Sequence, residues 1–340
     1  MLQITHCTLI AGRLIMVSFG FYADMDGATF DELKEMSVEA ERLGYDSFWL
    51  IDHLHSFPAP DRQPILESWT TLSALTMVTK KIRIGILVTN VQNRLPSLLA
   101  KMAATVDVIS NGRLEMGLGA GGTGRSSIHQ KSGYLPEYEA YGTPFSERVS
   151  VRIRRLDEAV QIMNLMWTKE RATFNGKYYA VKDAICNPHP IQKPHPPIWI
   201  AGQGEKYLLS VAAKYADAVN LHWNLTPDGF ERKLSVLRAH CERYGTDYSH
   251  ITKSLAAGVL LANDDREFSD LKEVLVKRYR AFEGFTPYAL QESGITGTPE
   301  QCKSKITSFI KSGVQYFILN FTELEQAKMF ARSVIPHFRH

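Results

Sequence analysis

Residues Ile82–Gly122 read IRIGILVTNVQNRLPSLLAKMAATVDVISNGRLEMGLGAGG. Ile82–Val88 predicts a buried strand, because a short apolar run with polar boundaries is typical of one. Ser97–Ile109 predicts a helix whose apolar residues recur on one face, with Pro96 at its start. Leu114–Leu118 predicts a second strand. These elements form one βαβ unit, so we expect the two strands to be parallel.

The rest of the chain repeats this alternation of strands and helices. Eight strands are predicted, at Val17–Tyr22, Ser47–Asp52, Arg83–Val88, Leu114–Leu118, Pro197–Ala201, Ala216–Leu221, Ser254–Leu261 and Tyr316–Phe321. Helices are predicted at roughly 30–43, 68–79, 97–109, 152–167, 204–214, 228–244, 298–312 and 323–333. Eight successive βα units predict an α/β fold of the (β/α)8 TIM-barrel type. A doubly wound sheet is the alternative, since one sequence does not give the order of the strands.

The domain organisation follows from this barrel. A single α/β barrel accommodates a chain of 340 residues. We predict a single barrel domain over residues 16–340, with residues 1–15 as an N-terminal extension. Three segments are longer than the repeat requires and are interpreted as insertions: Thr123–Glu147, Arg171–His195 and Asn263–Thr296. We expect the first and third at the C-terminal face, where barrel loops carry specificity, although surface decoration is the alternative.

Composition narrows the class of protein. Apolar residues make up 44% of the chain and charged residues 22%, which is typical of a globular enzyme. The net charge is +3, with no long run of Lys or Arg, so nothing indicates a nucleic-acid or membrane partner. The four cysteines lack CxxC spacing and the first residues lack the features of a secretory signal, which together predict a cytoplasmic protein acting on a small molecule.

Asp52-His53-Leu54-His55 ends the second predicted strand, where a barrel places catalytic groups. His53 is suited to acid–base work near neutral pH, and Asp52 is a candidate to orient it or raise its basicity. A hydrogen-bonded structural histidine is the alternative. His53 and His55 also form the HxH pair of some metal-dependent barrels, but strand ends offer only His222 as a further ligand, so we predict no metal site.

Two glycine loops follow predicted strands. They are Gly117-Leu118-Gly119-Ala120-Gly121-Gly122 and Ala201-Gly202-Gln203-Gly204. Glycine allows backbone N–H groups to approach a ligand, and the start of a helix favours an anion. Turn geometry alone is the alternative for either loop. Together on one barrel face they predict a phosphorylated cofactor, with Gly119, Gly121, Ala201, Gly202, Gln203 and Gly204 as contacts. His222 and Trp223 end the sixth strand and are candidates to line the substrate pocket, with core packing as the alternative.

Six pieces of the sequence carry a family resemblance. They are GYDSFWLIDH (Gly44–His53), IRIGILVTN (Ile82–Asn90), RLPSLLAKMAATVDVISNGRLEMGLGAG (Arg94–Gly121), RLDEAVQIMNLMW (Arg155–Trp167), PPIWIAGQG (Pro196–Gly204) and GTPEQCKSKITSFIKSGVQYFIL (Gly297–Leu319). In this order and spacing they resemble the luciferase-like monooxygenase superfamily of flavin- or deazaflavin-dependent TIM-barrel oxidoreductases. Asp-His after strand 2 and the VTN of strand 3 look most like the branch that uses the deazaflavin coenzyme F420.

The resemblance implies a coenzyme site. Family members hold the ring against a bulge in strand 3 that contains a non-proline cis peptide, and the matching bond here is Leu87–Val88. Leu87, Val88 and Thr89 are the expected coenzyme contacts of this bulge. It implies that Asp52 and His53 lie near the reactive edge of the ring, and that Gly202, Gln203 and Gly204 help to hold the phosphate. Relatives that oxidise sugar phosphates have a tryptophan soon after Asp-His, whereas this chain has Ser56-Phe57. We therefore assign Phe57 to the substrate pocket and disfavour a sugar phosphate.

The resemblance implies hydride transfer between coenzyme F420 and a small organic substrate, an alcohol/carbonyl pair or an activated alkene. His53 would exchange the proton on a substrate oxygen, because the coenzyme supplies the redox chemistry. Two alternatives stay open: a monooxygenase that uses reduced FMN, and a flavin-binding relative without catalysis. Relatives are usually dimers, so a homodimer is expected.

Overall fold

The computed structural model describes residues 7–10, 13–56, 63–122, 135, 137–222, 224–280 and 286–339, with side chains from Val17 onward. Its strands are β1 Cys7–Ile10, β2 Arg13–Met16, β3 Ser18–Tyr22, β4 Ser47–Leu50, β5 Arg83–Ile86, β6 Thr89–Asn90, β7 Leu114–Gly119, β8 Ala172–Asn175, β9 Ala180–Ala184, β10 Ile198–Ala201, β11 Ala218–His222, β12 Thr252–Leu261, β13 Ile295–Gly297 and β14 Tyr316–Phe321. Its helices are α1 Phe30–Arg42, α2 Ser68–Val78, α3 Pro96–Ile109, α4 Glu137–Ala140, α5 Val149–Thr168, α6 Leu208–Tyr215, α7 Pro227–Tyr244, α8 Asp265–Tyr279, α9 Pro299–Lys311 and α10 Leu324–Ser333.

Eight parallel strands form a closed ring. Their order is β3, β4, β5, β7, β10, β11, β12 and β14, each paired with the next. β14 pairs with β3, which closes the ring and excludes the open doubly wound sheet. These are the eight strands that the sequence predicts, so the (β/α)8 barrel is confirmed.

The barrel strands are apolar because both of their faces are covered. All ten residues of β12, for example, are buried. The surrounding helices begin and end at the signals that their sequences carry. α1 begins with a capping box between Thr29 and Glu32, and α7 ends at Gly245 with a positive φ of 67°.

Aromatic side chains fill the barrel interior below the strand ends. The rings of Trp49 and Trp199 lie 4.9 Å apart, and those of Trp199 and Tyr316 lie 5.2 Å apart. Gly85 gives Trp49 its space, because a Cβ there would lie 2.7 Å from Cζ3 of that indole. Leu87 packs against this cluster and also lines the cavity above it. The interior is therefore closed below the functional face.

The three predicted insertions have different structures. Described residues of the first, Thr123–Glu147, include the short helix α4. Arg171–His195 contains the antiparallel hairpin of β8 and β9. Asn263–Thr296 contains α8 and ends in β13, which pairs with β12. Near the N-terminus, β1 and β2 form a hairpin ahead of the barrel, and the division of the chain at residue 16 stays a prediction.

One predicted helix begins later than expected. The prediction of 204–214 is corrected by α6, which begins at Leu208. Gly202 has a positive φ of 137°, and the residues up to Tyr207 form turns before the helix begins. The loop after β10 is therefore longer than predicted.

Candidate functional site

A cavity of about 490 Å³ lies at the C-terminal ends of the barrel strands. This volume is within the usual range for a small-molecule or cofactor site. The residues that line it are Tyr22, Ile51, Asp52, His53, Leu87, Val88, Asn90, Gly119, Ala120, Gly121, Gly122, Glu137, Tyr138, Phe145, Val149, Arg152, Ile153, Ala201, Gly202, Gly204, Leu208, Asn220, His222, Ala256 and Tyr288. Most residues predicted for the cofactor site therefore surround one cavity.

His53 follows β4 and is held by a residue of the first insertion. Its Nδ1 lies 2.7 Å from Oε1 of Glu137, and 53% of its side chain is exposed. Burial opposes protonation of the ring, but the hydrogen bond and charge of Glu137, with the charges of Asp26 and Asp52, outweigh it and raise the pKa of His53. Because Glu137 accepts from Nδ1–H, Nε2 is the ring nitrogen available to a ligand.

Asp52 does not orient His53 by a hydrogen bond, which corrects that part of the prediction. Its carboxylate faces the other way and accepts bonds of 2.7 and 2.9 Å from the two terminal nitrogens of Arg94. It also accepts a 2.9 Å bond from the Asn90 backbone N–H. The Asp52 side chain is fully buried and that of Arg94 is 10% exposed. Asp52 therefore anchors the segment after β5 and reaches His53 only through its charge.

The segment between β5 and β6 forms one side of the cavity. The Leu87–Val88 peptide is cis, at the bond that the resemblance singles out. Leu87 and Val88 line the cavity, but Thr89 is fully buried and lies outside the lining. Gly119 lies against Val88, since an added Cβ would be 2.5 Å from Cγ2 of Val88. With glycine at position 119, no side chain crowds Val88 on this side of the cavity.

The loop after β10 borders the cavity from the opposite half of the barrel. Ala201, Gly202 and Gly204 line the cavity. A Cβ on Gly202 would lie 2.4 Å from Cδ2 of Leu208, so this position excludes a side chain. Gln203 lies outside the lining, and its side-chain amide donates to the backbone carbonyl of His222. It ties the loop to β11.

His222 lies at the end of β11 and lines the cavity. Burial lowers its pKa to about 4, so the ring is neutral at physiological pH. The other predicted pocket residues, Phe57 and Trp223, lie outside the described residues.

Two tyrosines complete the rim. Tyr22 ends β3, and Tyr288 comes from the third insertion. Burial raises the pKa of Tyr288 to about 12 and that of Tyr22 well above its ordinary value, with Asp24 and Asp26 adding to both shifts. Both hydroxyls therefore stay protonated at physiological pH.

The most informative side chains that sequence reasoning missed are Arg94, Glu137 and Arg152. Glu137 lies 84 positions from His53, and Arg94 lies 42 positions from Asp52. In the sequence, Glu137 is recognisable only as a carboxylate within the first insertion, and nothing in the pattern links it to His53. Within the described residues, no group of three or more His, Cys, Asp or Glu is placed to hold a metal. No helix in those same parts of the chain has the length and apolarity to cross a membrane.

Two curated relatives match parts of this chain. The phthiodiolone/phenolphthiodiolone dimycocerosates ketoreductase of Mycobacterium tuberculosis is 26% identical over 255 residues, which cover 69% of this chain and 62% of the relative. The F420-dependent glucose-6-phosphate dehydrogenase of Microbacterium testaceum is 34% identical over 196 residues, covering 56% and 52% respectively. The chain thus matches about three fifths or less of the length of these relatives.

A solved structure and a family model match more of the chain. The structure of an F420-dependent secondary alcohol dehydrogenase in complex with an F420–acetone adduct has a TM-score of 0.77 and 20% identity, and covers 95% of this chain and 99% of its own. This likeness supports the barrel fold. The family model described as luciferase-like monooxygenase matches residues 13–293. The chain therefore belongs to the luciferase-like monooxygenase family.

Proposed function

We propose that this protein is an oxidoreductase that transfers a hydride between coenzyme F420 and a small alcohol/carbonyl substrate pair. The observation that carries the proposal is the His53–Glu137 pair, which places an acid–base group in a cavity between two glycine loops. Two of the relatives described above support it, since the names of the ketoreductase and of the secondary alcohol dehydrogenase concern a ketone and an alcohol.

The residues present fit a ring-bearing, phosphorylated coenzyme. Apolar side chains line the cavity at Ile51, Leu87, Val88, Ala201 and Ala256, as a flat aromatic ring requires. At Gly119 and Gly202 an added Cβ would meet neighbouring side chains within 2.5 Å, so no side chain occupies these edges. Leu87 and Val88 would support the ring. Gly204 would present its backbone N–H to a phosphate, whereas the Gly202 N–H already donates to the Asn220 backbone carbonyl at 3.0 Å.

Coenzyme F420, when bound, supplies hydride transfer at carbon 5 of its deazaflavin ring. His53 manages the accompanying proton at the substrate oxygen. Glu137 favours the protonated ring, so Nε2–H donates when a carbonyl is reduced, and neutral Nε2 accepts when an alcohol is oxidised. Glu137 also fixes the ring, which lowers the cost of ordering it in the reaction.

Residues of the first insertion limit the access of water. Tyr138 and Phe145 line the cavity, and their rings stack with centroids 3.6 Å apart. The first insertion therefore supplies both an apolar cover and the carboxylate that holds His53.

The test is turnover by the coenzyme-loaded protein against a panel of secondary alcohols and ketones, followed by the visible absorbance of the coenzyme. We expect His53→Ala to lower kcat by roughly 10²–10⁴-fold, with coenzyme affinity little changed. His250→Ala is the matched control, because this exposed histidine also faces a carboxylate, that of Asp247 at 3.3 Å, but outside the cavity. Equal turnover in His53→Ala and the native protein would refute the assignment.

We also propose a homodimer, as the resemblance implies. Exposed apolar side chains on and next to α2 and α3 support it, among them Met77, Leu95, Leu98 and Ile109. Light scattering coupled to size-exclusion chromatography gives the mass directly, and a monomer at micromolar concentration would exclude this part of the proposal.

A further inference from the structure

Arg152 is a buried cation in the cavity lining. It lies in the first turns of α5, and only 3% of the residue is exposed. Arginine is seldom buried to this degree without a charged partner, because removing a charge from water is costly. The contacts of this guanidinium therefore bear on what the cavity binds.

The described contacts of Arg152 leave its charge without a carboxylate. Its Nη1 donates to the backbone carbonyls of Ser146 and Glu147, at 2.8 and 3.2 Å. The guanidinium carbon lies 4.8 Å from the centroid of the Phe145 ring. Its Nε has no hydrogen-bond partner within the part of the chain that the structure describes. Two carbonyls and a ring satisfy N–H groups, but they do not neutralise a full charge.

Nearby charges compensate Arg152 only in part. Burial lowers its pKa, and the charge of Glu147 opposes that shift without an ion pair to Arg152 among the described residues. Residues 123–136 contain no Asp or Glu, and Glu137 of the same insertion pairs with His53. Arginine stays protonated at neutral pH even when its pKa falls. The cavity therefore has a permanent positive charge in its lining.

We propose that Arg152 receives the phosphate group of a ligand bound in this cavity. The planar guanidinium matches the oxygen geometry of a phosphate, and pairing with an anion offsets the cost of its burial. The glycine loop after β10 lines the same cavity, and the backbone N–H of Gly204 in this loop would suit the same chemistry. The phosphate belongs either to the coenzyme or to a substrate. The inference rests on the proposed function only in taking this cavity as the ligand site.

Matched ligands and variants test this assignment. The ligands are FMN and riboflavin, which differ by the phosphate alone, and coenzyme F420 and 8-hydroxy-5-deazariboflavin, which lacks the whole phosphorylated, carboxylate-bearing side chain of F420. The variants are Arg152→Met, Arg152→Lys, and the control Arg154→Met, which removes an exposed charge from the same helix outside the cavity. Dissociation constants come from fluorescence titration, and thermal unfolding verifies that each variant folds.

We expect Arg152→Met to weaken binding of the phosphorylated ligand by about 10- to 100-fold, the loss of one charged hydrogen-bonding group. The phosphate-free form should bind native protein and variant alike. Arg152→Lys should retain most of the affinity because it keeps the charge, and Arg154→Met should bind as the native protein does. If Arg152→Met weakened binding of the phosphorylated and phosphate-free forms equally, or weakened binding of neither form, a coenzyme phosphate would not be the partner of Arg152.

Inorganic phosphate tests the second source. If coenzyme binding does not depend on Arg152, phosphate added to the coenzyme-loaded native protein should raise its unfolding temperature, and it should not do so in Arg152→Met. Equal responses of the two proteins would overturn the proposal entirely. Failure of the native protein to bind F420 and FMN would refute the proposed function instead, and the phosphate comparison, made on the ligand-free native protein and Arg152→Met, would still decide the role of Arg152.

Discussion

Replacement of Arg94 by Met is predicted to destabilise the protein strongly. Arg94 is the main partner of the buried Asp52 carboxylate, to which it donates through both terminal nitrogens. Methionine has a similar length but donates no hydrogen bond and carries no charge. The substitution therefore leaves a carboxylate buried with the Asn90 backbone N–H as its remaining described donor.

The size of this effect follows from burial. Removing one partner of a buried pair costs 3–5 kcal/mol, because the remaining charge is uncompensated. Asp52 keeps one donor and Arg94 is 10% exposed, so we expect the lower end, about 3 kcal/mol. A second substitution, Asp52→Asn, removes the unpaired charge. The double variant should therefore be more stable than Arg94→Met alone.

Denaturant unfolding of the four proteins of this double-mutant cycle, followed by circular dichroism, measures the coupling. Arg42→Met is the matched surface control. Arg42 also makes two hydrogen bonds to one carboxylate, that of Glu39, but its side chain is 61% exposed. We expect no measurable loss there, because exposed pairs contribute little. The buried pair would be refuted if Arg94→Met lowered the free energy of unfolding by less than about 1 kcal/mol, or if the effects of the two single substitutions simply added in the double variant.

Three further predictions concern the cavity. Glu137→Gln should lower the pKa of His53, whereas the control Glu139→Gln on the same helix should not. NMR titration of the His53 ring measures this pKa in the native protein and both variants, and one common value would contradict the prediction. Gly202→Ala should abolish coenzyme binding because its Cβ would meet Leu208 at 2.4 Å, while Gly245→Ala, which also has a positive φ but open space around it, should keep full affinity. Burial lowers the pKa of His222 from 6.5 to about 4, so below pH 6.5 the unfolded state binds a proton that the folded state does not. The contribution to the free energy of unfolding is therefore full above pH 6.5 and falls toward pH 4. The loss of about 2 kcal/mol expected at pH 5 should be absent in His222→Phe.

The fold was predictable because its signals are local. Each barrel strand is a short apolar run, as in Ser254–Leu261, and each helix has its own period and end signals. The exception was the start of α6. The turn before it includes Gly202 at a positive φ of 137°, which periodicity does not reveal.

The site was predictable where strand ends alone determine it. His53, Leu87, Val88 and Gly202 line the cavity because parallel strands end on one face. The partners of these residues were not predictable, because Glu137 and Arg94 reach them from distant segments. Thr89 illustrates the converse. It follows two cavity residues in the sequence, but its side chain is fully buried outside the cavity lining, which the sequence pattern does not reveal.

The central claim is that this cavity binds a deazaflavin coenzyme. Calorimetric titration of the purified protein with coenzyme F420 and with FMN, under identical conditions, tests it most directly. We predict micromolar or tighter binding of F420 and markedly weaker binding of FMN. Tight binding of FMN alone would contradict the assignment of a deazaflavin coenzyme and would support an oxygen-activating monooxygenase instead.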